Sequence, residues 1–296
     1  MGRKVLICGA RGQLAGALRR TAPDHVEVVA LGRAELDIGS EVSVRAALER
    51  HQPDIVLNGA AYNAVDRAQS PEGARAAMEI NALGPAVLAT LCRDTNARLV
   101  HFSTDFVFDG CASSPYTEED ATHPLSIYGA SKLGGEQAVL SASPQHLVVR
   151  VQRLFGPIEN EASGSGTAAK PGGNFPLLML RLAKERGRVR VVNDQIGTPS
   201  YSPDLALALW ELVEKSEGGL FHLANAGEVT FADYAEAVFR LTGISCEVDP
   251  VSSEDYGAPA KRPLYSTLSS DKAYSMGVRP LRSWDAALAE YLKFNV

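Results

Sequence analysis

The sequence predicts an α/β protein built on a doubly wound parallel sheet. Two observations support this class: short apolar runs alternate along the chain with longer segments of helical periodicity, and turn residues separate the two. Crossover helices between successive strands produce this alternation in a parallel sheet. The chain has 296 residues, of which 45% are hydrophobic, and this is enough to bury a large core.

The first half of the chain carries the clearest alternation. Runs rich in Val, Leu and Ile predict strands at Val5–Cys8, Val26–Leu31, Ile55–Asn58, Leu99–Ser103 and Leu147–Val151. Amphipathic spacing predicts helices at Gln13–Arg20, Glu41–Arg50, Ala74–Asn96 and Tyr128–Ser141, the third with a bend near Gly84 and Pro85. We assign these elements to a first domain, residues 1–155.

Residues 156–296 are predicted to form a smaller, mixed α/β region. Glu159–Gly173 is rich in Gly, Ser and Ala without periodicity, so we expect a loop or lid there. Helices are predicted at Pro176–Glu185, Leu205–Lys215, Phe231–Thr242 and Trp284–Phe294, and strands at Val189–Val192 and Leu220–Leu223. Either strand could return to the first sheet. The helices Phe231–Thr242 and Trp284–Phe294 are expected over the carboxyl ends of its strands, where ligands bind.

Composition excludes several classes of function. The net charge of −6 and the absence of a basic run argue against a nucleic-acid partner. No apolar run approaches the roughly 20 residues of a membrane span, and the apolar part of the opening segment is too short for a signal peptide, so we expect a cytoplasmic protein with no membrane partner. The histidines and cysteines lack metal-ligand spacing, and no metal is predicted.

A glycine-rich segment from Gly9 to Gly16 directly follows the first strand and opens the first helix. Glycines at this position allow a sharp turn and let backbone N–H groups approach a pyrophosphate at the positive end of the helix. The motif indicates a dinucleotide-binding domain and, within it, Gly9, Arg11 and Gly12 as cofactor residues. The spacing is Gly-x-x-Gly, and a plain strand-to-helix turn remains the alternative.

The residue that follows the second strand bears on cofactor choice. An NAD-specific fold places an acidic residue there to bind the ribose 2′-hydroxyl, whereas this chain reads Leu31-Gly32-Arg33. The guanidinium of Arg33 suits a 2′-phosphate in charge and geometry, which favours NADP(H). In the alternative, Arg33 is a solvated cation, Asp37 binds the ribose, and NAD(H) is the cofactor.

Tyr128 and Lys132 are spaced four residues apart on a predicted helix, so their side chains share one face. An ammonium close to a phenol contributes up to about 4 kcal/mol at an effective dielectric near 20 and lowers the pKa of the phenol. A hydroxyl from Ser103-Thr104, at the end of the fourth strand, could donate to a carbonyl oxygen beside this tyrosine. The alternative is a surface helix pair.

These motifs lead to a resemblance that covers nearly the whole chain. The sequence resembles the dTDP-4-dehydrorhamnose reductases, Rossmann-fold sugar-nucleotide ketoreductases of the extended short-chain dehydrogenase/reductase type. The similar segments are Gly12–Leu14, Glu35–Ile38, Asn58–Asp66, Ser103–Gly110, Pro124–Gly129, Asn193–Pro199 and Lys261–Pro263. The resemblance implies NADPH-dependent reduction of the 4-keto group of a nucleoside-diphosphate 4-keto-6-deoxyhexose, in deoxysugar biosynthesis, by a monomer or homodimer.

The resemblance also implies roles for individual residues. The residues implied to line the dinucleotide are Gly12, Gln13, Leu14, Asp37, Ile38, Ala61, Tyr62, Asn63 and Phe102, together with Tyr128 and Lys132 at its nicotinamide ribose. Thr104, Asp105 and Val107 would face the sugar. In catalysis Tyr128 would supply a proton, Lys132 would tune and position it, and Thr104 would bind the same oxygen.

Three departures from the family pattern matter: the first two place the identity of the sugar in question, and the third predicts no structural metal. The chain reads Arg150-Val151-Gln152-Arg153 where the family has Arg-Thr-Ser-Trp, so a cation replaces an aromatic platform. Arg153 is either a substrate-binding residue, for a pyrophosphate or a more polar sugar, or a structural arginine at a strand end. The segment 159–173 lengthens a loop beside the expected sugar pocket, and Ala17 stands where some members have a metal-linked glutamate.

Two other functions are compatible with the same fold. One is a non-catalytic NADP-binding regulatory subunit, which the presence of both Tyr128 and Lys132 disfavours because binding alone requires neither. The other is a sugar-nucleotide epimerase, which would retain NAD and regenerate it in each cycle.

Overall fold

The computed structural model describes residues 2–158 and 173–295. The strands are β1 Arg3–Cys8, β2 Val26–Leu31, β3 Ile55–Asn58, β4 Arg98–Thr104, β5 Leu147–Val151, β6 Leu154–Phe155, β7 Arg188–Val192, β8 Ile196–Gly197, β9 Ser200–Tyr201, β10 Gly219–His222, β11 Val229–Thr230 and β12 Glu247–Val251. The α-helices are α1 Gln13–Arg20, α2 Glu41–His51, α3 Pro71–Met78, α4 Gly84–Asp94, α5 Ile127–Ala142, α6 Phe175–Arg186, α7 Ser202–Lys215, α8 Phe231–Thr242, α9 Ser253–Tyr256, α10 Asp271–Ser275 and α11 Trp284–Asn295.

Six of the strands form one parallel sheet in the order β2-β1-β3-β4-β5-β10. This confirms the predicted α/β class with a parallel sheet. The strand order reverses between β1 and β3, where Cys8 pairs with Asn58 so that both strands end at the same edge. A crevice at such a switch point is where doubly wound folds bind their ligands.

Helices cover both faces of this sheet because its strands are apolar on both sides. On one face α1 and α7 pack in a cluster that includes Ile7 and Leu57, and the Trp210 Nε1–H donates to the Leu18 carbonyl at 3.3 Å. On the other face α2, α4 and α5 pack in a cluster that includes Leu6 and Val56. Neighbouring residues of one strand thus enter opposite cores, as period-two alternation requires.

The predicted bend in the long helix is confirmed. A π-helical turn at Glu79–Leu83 separates α3 from α4, and Gly84 and Pro85 begin α4. Proline lacks the N–H that would continue the regular hydrogen-bond ladder, and a π-turn re-pairs the surrounding backbone. The interruption turns the side chain of Asn81 toward α5 and the loop after β3.

A third hydrophobic cluster lies in the carboxyl-terminal half. It joins α6, α8 and α11 to β7 and β12, with Phe155, Tyr234 and Tyr291 among its buried side chains. β7 pairs with β12 in a separate two-stranded parallel sheet, so the predicted strand at 189–192 does not return to the central sheet. The predicted strand at 220–223 does, as β10 beside β5.

Two features of this half need separate mention. Strand β12 was not predicted, because Pro250 interrupts a half-exposed run that lacks a clear period. Apart from Gly173, the segment predicted as a loop or lid at 159–173 lies outside the described residues. None of the helices in residues 2–158 and 173–295 is long and apolar enough to cross a membrane.

Candidate active site

The loop after β1 is shaped by glycines. Gly9 has φ +77°, and a Cβ atom there would lie 2.8 Å from the Ala60 nitrogen, so only glycine lets the loops after β1 and β3 approach this closely. Gly12 caps α1 without a side-chain hydrogen bond to the first turn. The N–H groups at the start of α1 are therefore not covered by a capping side chain and suit a phosphate.

Two buried polar atoms near this loop test whether the crevice suits a dinucleotide. In the part of the chain that the structure describes, Gln13 Nε2 and the Tyr62 hydroxyl have no hydrogen-bond partner. Buried polar groups without partners are costly unless a ligand or water pairs with them. Their position beside the glycine loop and the loop after β3 fits a ligand with many polar atoms, as a dinucleotide is.

The turn after β2 contains a carboxylate as well as the arginine expected to bind a 2′-phosphate. Arg33 is exposed, as a 2′-phosphate ligand requires, but Glu35 is close in the same turn and its Oε2 accepts from the Gly32 N–H at 3.0 Å. The residues Leu31-Gly32-Arg33 contain no carboxylate, but the turn that pairs the Glu35 N–H with the Gly32 carbonyl brings a glutamate close to them. Asp37 Oδ1 accepts from the Gly39 N–H at 3.0 Å and is held within its own turn.

Three of the apolar residues implied as cofactor-binding have buried side chains. Leu14, Ile38 and Phe102 all belong to the hydrophobic clusters on the sheet. The Phe102 carbonyl accepts a hydrogen bond from Lys132 Nζ. Asn63 is exposed, whereas Ala61 and Tyr62 are partly buried in the loop after β3.

The start of α5 places Tyr128 at the end of β4. Ser126 caps the helix, its Oγ accepting from the Gly129 N–H at 3.1 Å. A Cβ atom on Gly129 would lie 2.2 Å from the Phe106 carbonyl oxygen, so this glycine allows α5 to contact the turn Asp105–Val107. The Tyr128 ring then packs edge-on against Phe106, with ring centroids 5.5 Å apart.

The pKa of Tyr128 is shifted in the direction opposite to the predicted one. Burial raises the pKa of its phenol to about 12, a hydrogen bond with Thr104 counteracts this, and the Asp105 carboxylate adds to it. The predicted lowering of this pKa by Lys132 was wrong for the protein alone, because desolvation of the phenolate outweighs other effects. The hydroxyl lies 3.5 Å from Asn63 Oδ1. The phenol therefore stays protonated at neutral pH.

Lys132 follows Tyr128 by one turn of α5 and is also buried. Its Nζ donates to the Phe102 carbonyl at 2.5 Å and lies 3.4 Å from Nε2 of His101. Burial lowers the pKa of the amine to about 8, although Glu136 one turn along the helix opposes the shift. The amine can thus gain or lose a proton near neutral pH.

Thr104 and Asp105 act together. The Thr104 hydroxyl donates to Asp105 Oδ1 at 3.0 Å and accepts from the Phe106 N–H at 3.3 Å. In the protein alone the Thr104 hydroxyl bonds to this carboxylate, and its expected donation to a substrate oxygen stays a prediction. Burial raises the pKa of Asp105, while a hydrogen bond from Ser266 and the charge of Arg153 lower it.

The other two residues expected at the sugar are less accessible. The Val107 side chain is 0% exposed in a cluster with Phe108 and Tyr116, so the expectation that it faces the sugar was wrong for the side chain. Arg153 has φ +43°, lies 4.0 Å above the Phe231 ring, and donates to the Val229 and Gln195 carbonyls at 2.9 and 3.0 Å.

These contacts give Arg153 a structural role, which is the alternative considered for it. Burial lowers the pKa of its guanidinium to about 10, and the charge of Asp105 opposes this shift. A Cβ atom on Gly197 would lie 2.8 Å from Arg153 Nε, so the glycine provides room for the guanidinium. The guanidinium thereby connects β8 and β11 to the carboxylate beside Thr104.

Sequence reasoning missed Asn81, which joins the two halves of the site. Its Oδ1 accepts from the Tyr62 N–H at 2.8 Å, and its Nδ2 donates to the Tyr62 carbonyl and to Ser131 Oγ, both at 3.0 Å. It thus fixes the loop after β3 relative to α5. The available signal was a buried-looking asparagine in an apolar stretch immediately before a predicted helix bend.

No metal site is evident at this crevice. Across residues 2–158 and 173–295, no group of three or more His, Cys, Asp or Glu side chains is arranged to hold a metal ion. The crevice offers three groups for chemistry. Tyr128 is a proton donor, Lys132 is a titratable amine, and the loops after β1 and β3 form a phosphate cradle.

The chain is similar to known proteins over nearly its whole length. The model of the family described as RmlD substrate binding domain matches residues 3–295. A dTDP-4-keto-6-deoxy-D-glucose reductase from Streptomyces niveus is 39% identical over 288 residues, covering 96% of this chain and 95% of its own. A dTDP-4-dehydrorhamnose reductase from Mycolicibacterium smegmatis is 39% identical over 296 residues, covering 98% and 85%. The structure of dTDP-4-dehydrorhamnose reductase from Bacillus anthracis in complex with NADP superposes with a TM-score of 0.91 at 32% identity, covering 99% and 100%.

Proposed function

Since the chain belongs to the dTDP-4-dehydrorhamnose reductase family, we propose that it reduces the 4-keto group of a nucleoside-diphosphate 4-keto-6-deoxyhexose with NADPH. The observation that carries this proposal is the position of Tyr128. Its protonated phenol lies beside Thr104 at the carboxyl end of β4, at the same sheet edge as the phosphate cradle formed by Gly9 and Gly12. A proton donor and a hydride carrier are what carbonyl reduction requires.

The cofactor would lie along the carboxyl ends of β1, β2 and β3. The N–H groups at the start of α1 would bind its pyrophosphate, with Gln13 Nε2 and the Tyr62 hydroxyl supplying further hydrogen bonds. Arg33 would pair with the 2′-phosphate, although Glu35 reduces the positive potential of that turn. When bound, NADPH supplies the hydride.

The residues of this chain would perform the proton chemistry. Tyr128 transfers the proton of its hydroxyl to the carbonyl oxygen as negative charge develops there. Thr104 orients the phenol through a hydrogen bond that lowers the pKa of Tyr128. Lys132 lies one helical turn from Tyr128 on α5, and its amine, which titrates near pH 8, would serve to return a proton toward the phenol.

The alternatives predict different behaviour. A regulatory subunit would bind NADPH without turnover, whereas an epimerase would retain NAD through purification. The pairing of a protonated phenol with a titratable amine favours the reductase over the regulatory subunit, because neither group is needed for binding alone. We place the protein in the cytoplasm as a monomer or homodimer, with the nucleotide sugar as its partner and without nucleic acid.

The proposal is tested by following NADPH absorbance with a panel of 4-keto-6-deoxy sugar nucleotides that differ in base and sugar. We expect one mole of NADPH to be consumed for each mole of 4-keto sugar reduced. Isomerisation of the sugar nucleotide with no net NADPH oxidation would instead identify an epimerase. Binding of NADPH with no turnover of any member of the panel would identify a regulatory subunit.

A further inference from the structure

A chain of buried polar side chains runs beneath the candidate active site. Asn58 at the end of β3, His101 in β4 and Lys132 in α5 are all buried. Asn58 Nδ2 lies 3.1 Å from His101 Nδ1, and His101 Nε2 lies 3.4 Å from Lys132 Nζ. Buried polar chains of this kind fix which atoms donate and which accept, since each group must be satisfied.

The backbone fixes the direction of this chain. The Ala60 N–H donates to Asn58 Oδ1 at 3.2 Å, so the amide nitrogen of Asn58 faces the histidine. An amide nitrogen only donates, and His101 Nδ1 must therefore accept. Burial and the nearby Lys132 hold the pKa of His101 well below its usual range, so the ring is neutral. A neutral ring that accepts at Nδ1 carries its proton on Nε2.

That proton points at the amine of Lys132. An ammonium group has three donors and no acceptor, so it would face the Nε2–H of His101 without a hydrogen bond between them. An uncharged amine has a lone pair that accepts from Nε2–H, while one of its own hydrogens remains bonded to the Phe102 carbonyl. The histidine tautomer therefore discriminates between the two protonation states of Lys132.

The other charged and titratable groups around Lys132 come from α5, β5 and the turn after β4. Glu136 lies one helical turn away and raises the pKa of the amine, but Arg150 of β5 binds its carboxylate through two hydrogen bonds. Tyr128 on the same helix is uncharged at neutral pH. Asp105 is buried beside Thr104 and is bonded to it. None of these groups bonds to His101, so the effect of the histidine can be isolated.

We infer that His101 is a positioning residue which Asn58 holds as the Nε2–H tautomer, and that this tautomer favours the uncharged amine of Lys132 over its ammonium form. The inference deepens the proposed function, since Lys132 belongs to that site. It also links the protonation state of Lys132 to the loop after β3. The Ala60 N–H orients Asn58, and Ala60 immediately precedes Ala61, Tyr62 and Asn63. The site then responds to pH within the range where Lys132 titrates.

The tautomer can be observed directly, without substrate or cofactor. Protein labelled with ¹⁵N-histidine gives long-range ¹H–¹⁵N correlations that distinguish a protonated Nδ1 from a protonated Nε2, and the His101 signals are identified by their loss in His101→Gln. We expect a neutral Nε2–H ring from about pH 6 to about pH 10, with a shift change near pH 8 as Lys132 titrates. Lys132→Met should abolish this change. If Lys132→Met does not fold, Lys132→Arg serves the same purpose.

Asn58→Leu provides the decisive comparison because it keeps the histidine and removes the amide that fixes its tautomer. The ring is then free to protonate Nδ1 and accept from the ammonium at Nε2, and we expect the midpoint of the Lys132 titration to rise by about one pH unit, a tenfold change in proton affinity. Asn193→Leu is the matched control in an asparagine outside the chain. An Nδ1–H tautomer in the wild type, or a midpoint that is unchanged in Asn58→Leu, would overturn the inference.

Kinetics then separate this inference from the proposed function. If the protein reduces a keto sugar, the high-pH change in the turnover rate should move upward in Asn58→Leu by the same interval as the titration midpoint. If no keto sugar is reduced, the proposed function is wrong. The spectroscopic measurement still decides the inference about His101, because it needs neither substrate nor cofactor. A structural role for Asn58 alone would lower stability and leave the midpoint unchanged.

Discussion

Arg150 and Glu136 form a bidentate ion pair inside the protein, with Nε to Oε1 at 2.9 Å and Nη2 to Oε2 at 2.8 Å. The two side chains are only 3% and 2% exposed. The pair joins β5 to α5 one helical turn from Lys132, and the Arg150 guanidinium also lies 4.9 Å above the Phe108 ring. Removing a buried partner leaves the other charge without compensation, so this pair holds the helix that carries the site.

We therefore expect Glu136→Gln to lower the free energy of unfolding by about 3–5 kcal/mol, measured by urea denaturation. Glu41→Gln breaks the exposed pair with Arg45 and is the matched control, with an expected loss below about 1 kcal/mol. Equal losses in the two variants would mean that burial of the Arg150 pair has no energetic consequence.

Tyr128→Phe removes the proposed proton donor without changing the shape of the ring. We expect turnover to fall by at least about 100-fold, in the range that general acid catalysis contributes, while the dissociation constant for NADPH changes little. NADPH oxidation and fluorescence titration measure the two quantities. Tyr256→Phe, at an exposed tyrosine, should leave both unchanged, and wild-type turnover in Tyr128→Phe would remove this residue from the mechanism.

Arg33 and Glu35 set cofactor preference in opposite directions. Arg33→Ala should weaken NADPH binding about 10-fold or more relative to NADH, since a charged hydrogen bond contributes about 1.5–3 kcal/mol. Glu35→Gln removes the neighbouring negative charge and should strengthen NADPH binding. Dissociation constants for both cofactors test this, and an unchanged NADPH-to-NADH ratio in Arg33→Ala would assign the 2′-phosphate contact to another group.

His222 makes stability depend on pH. Burial and the charge of Arg150 lower the pKa of this histidine from 6.5 to about 3 in the folded protein. The unfolded chain therefore binds more protons below about pH 6.5, so the stabilisation present above that pH is lost as pH falls toward 3, at up to about 1.4 kcal/mol per pH unit. Urea midpoints measured across this range should fall less steeply in His222→Gln, whereas His25→Gln, at an exposed site, should follow the wild type.

Strong local patterns explain which elements were predictable. The bounds of β2, β3, β5 and α8 match the predictions, because each is an apolar or amphipathic run between clear turn signals. Thr230 caps α8, and its Oγ1 accepts from the Asp233 N–H at 3.1 Å. Strand β12 was missed because its pairing with β7 is a tertiary contact between segments about 60 residues apart, which local pattern does not encode.

The site was predictable in its positions and less so in its electrostatics. The spacing of Tyr128 and Lys132 identified two residues that the structure buries one helical turn apart on α5, but it did not indicate that burial would raise the pKa of the phenol. The roles of Asn81 and His101 depend on hydrogen bonds across elements that are distant in sequence. Such pairings follow from the sheet register and helix packing, which the sequence pattern specifies only indirectly.

Strand β10 reaches the central sheet only after the chain has formed α6, β7 and α7. A polypeptide ending at residue 155 would lack both this strand and the α7 surface that packs on α1. β5 would then be a terminal strand with a free row of peptide groups, a template for self-association. Segments exchanged between relatives should accordingly include residues 202–222 together with the amino-terminal half.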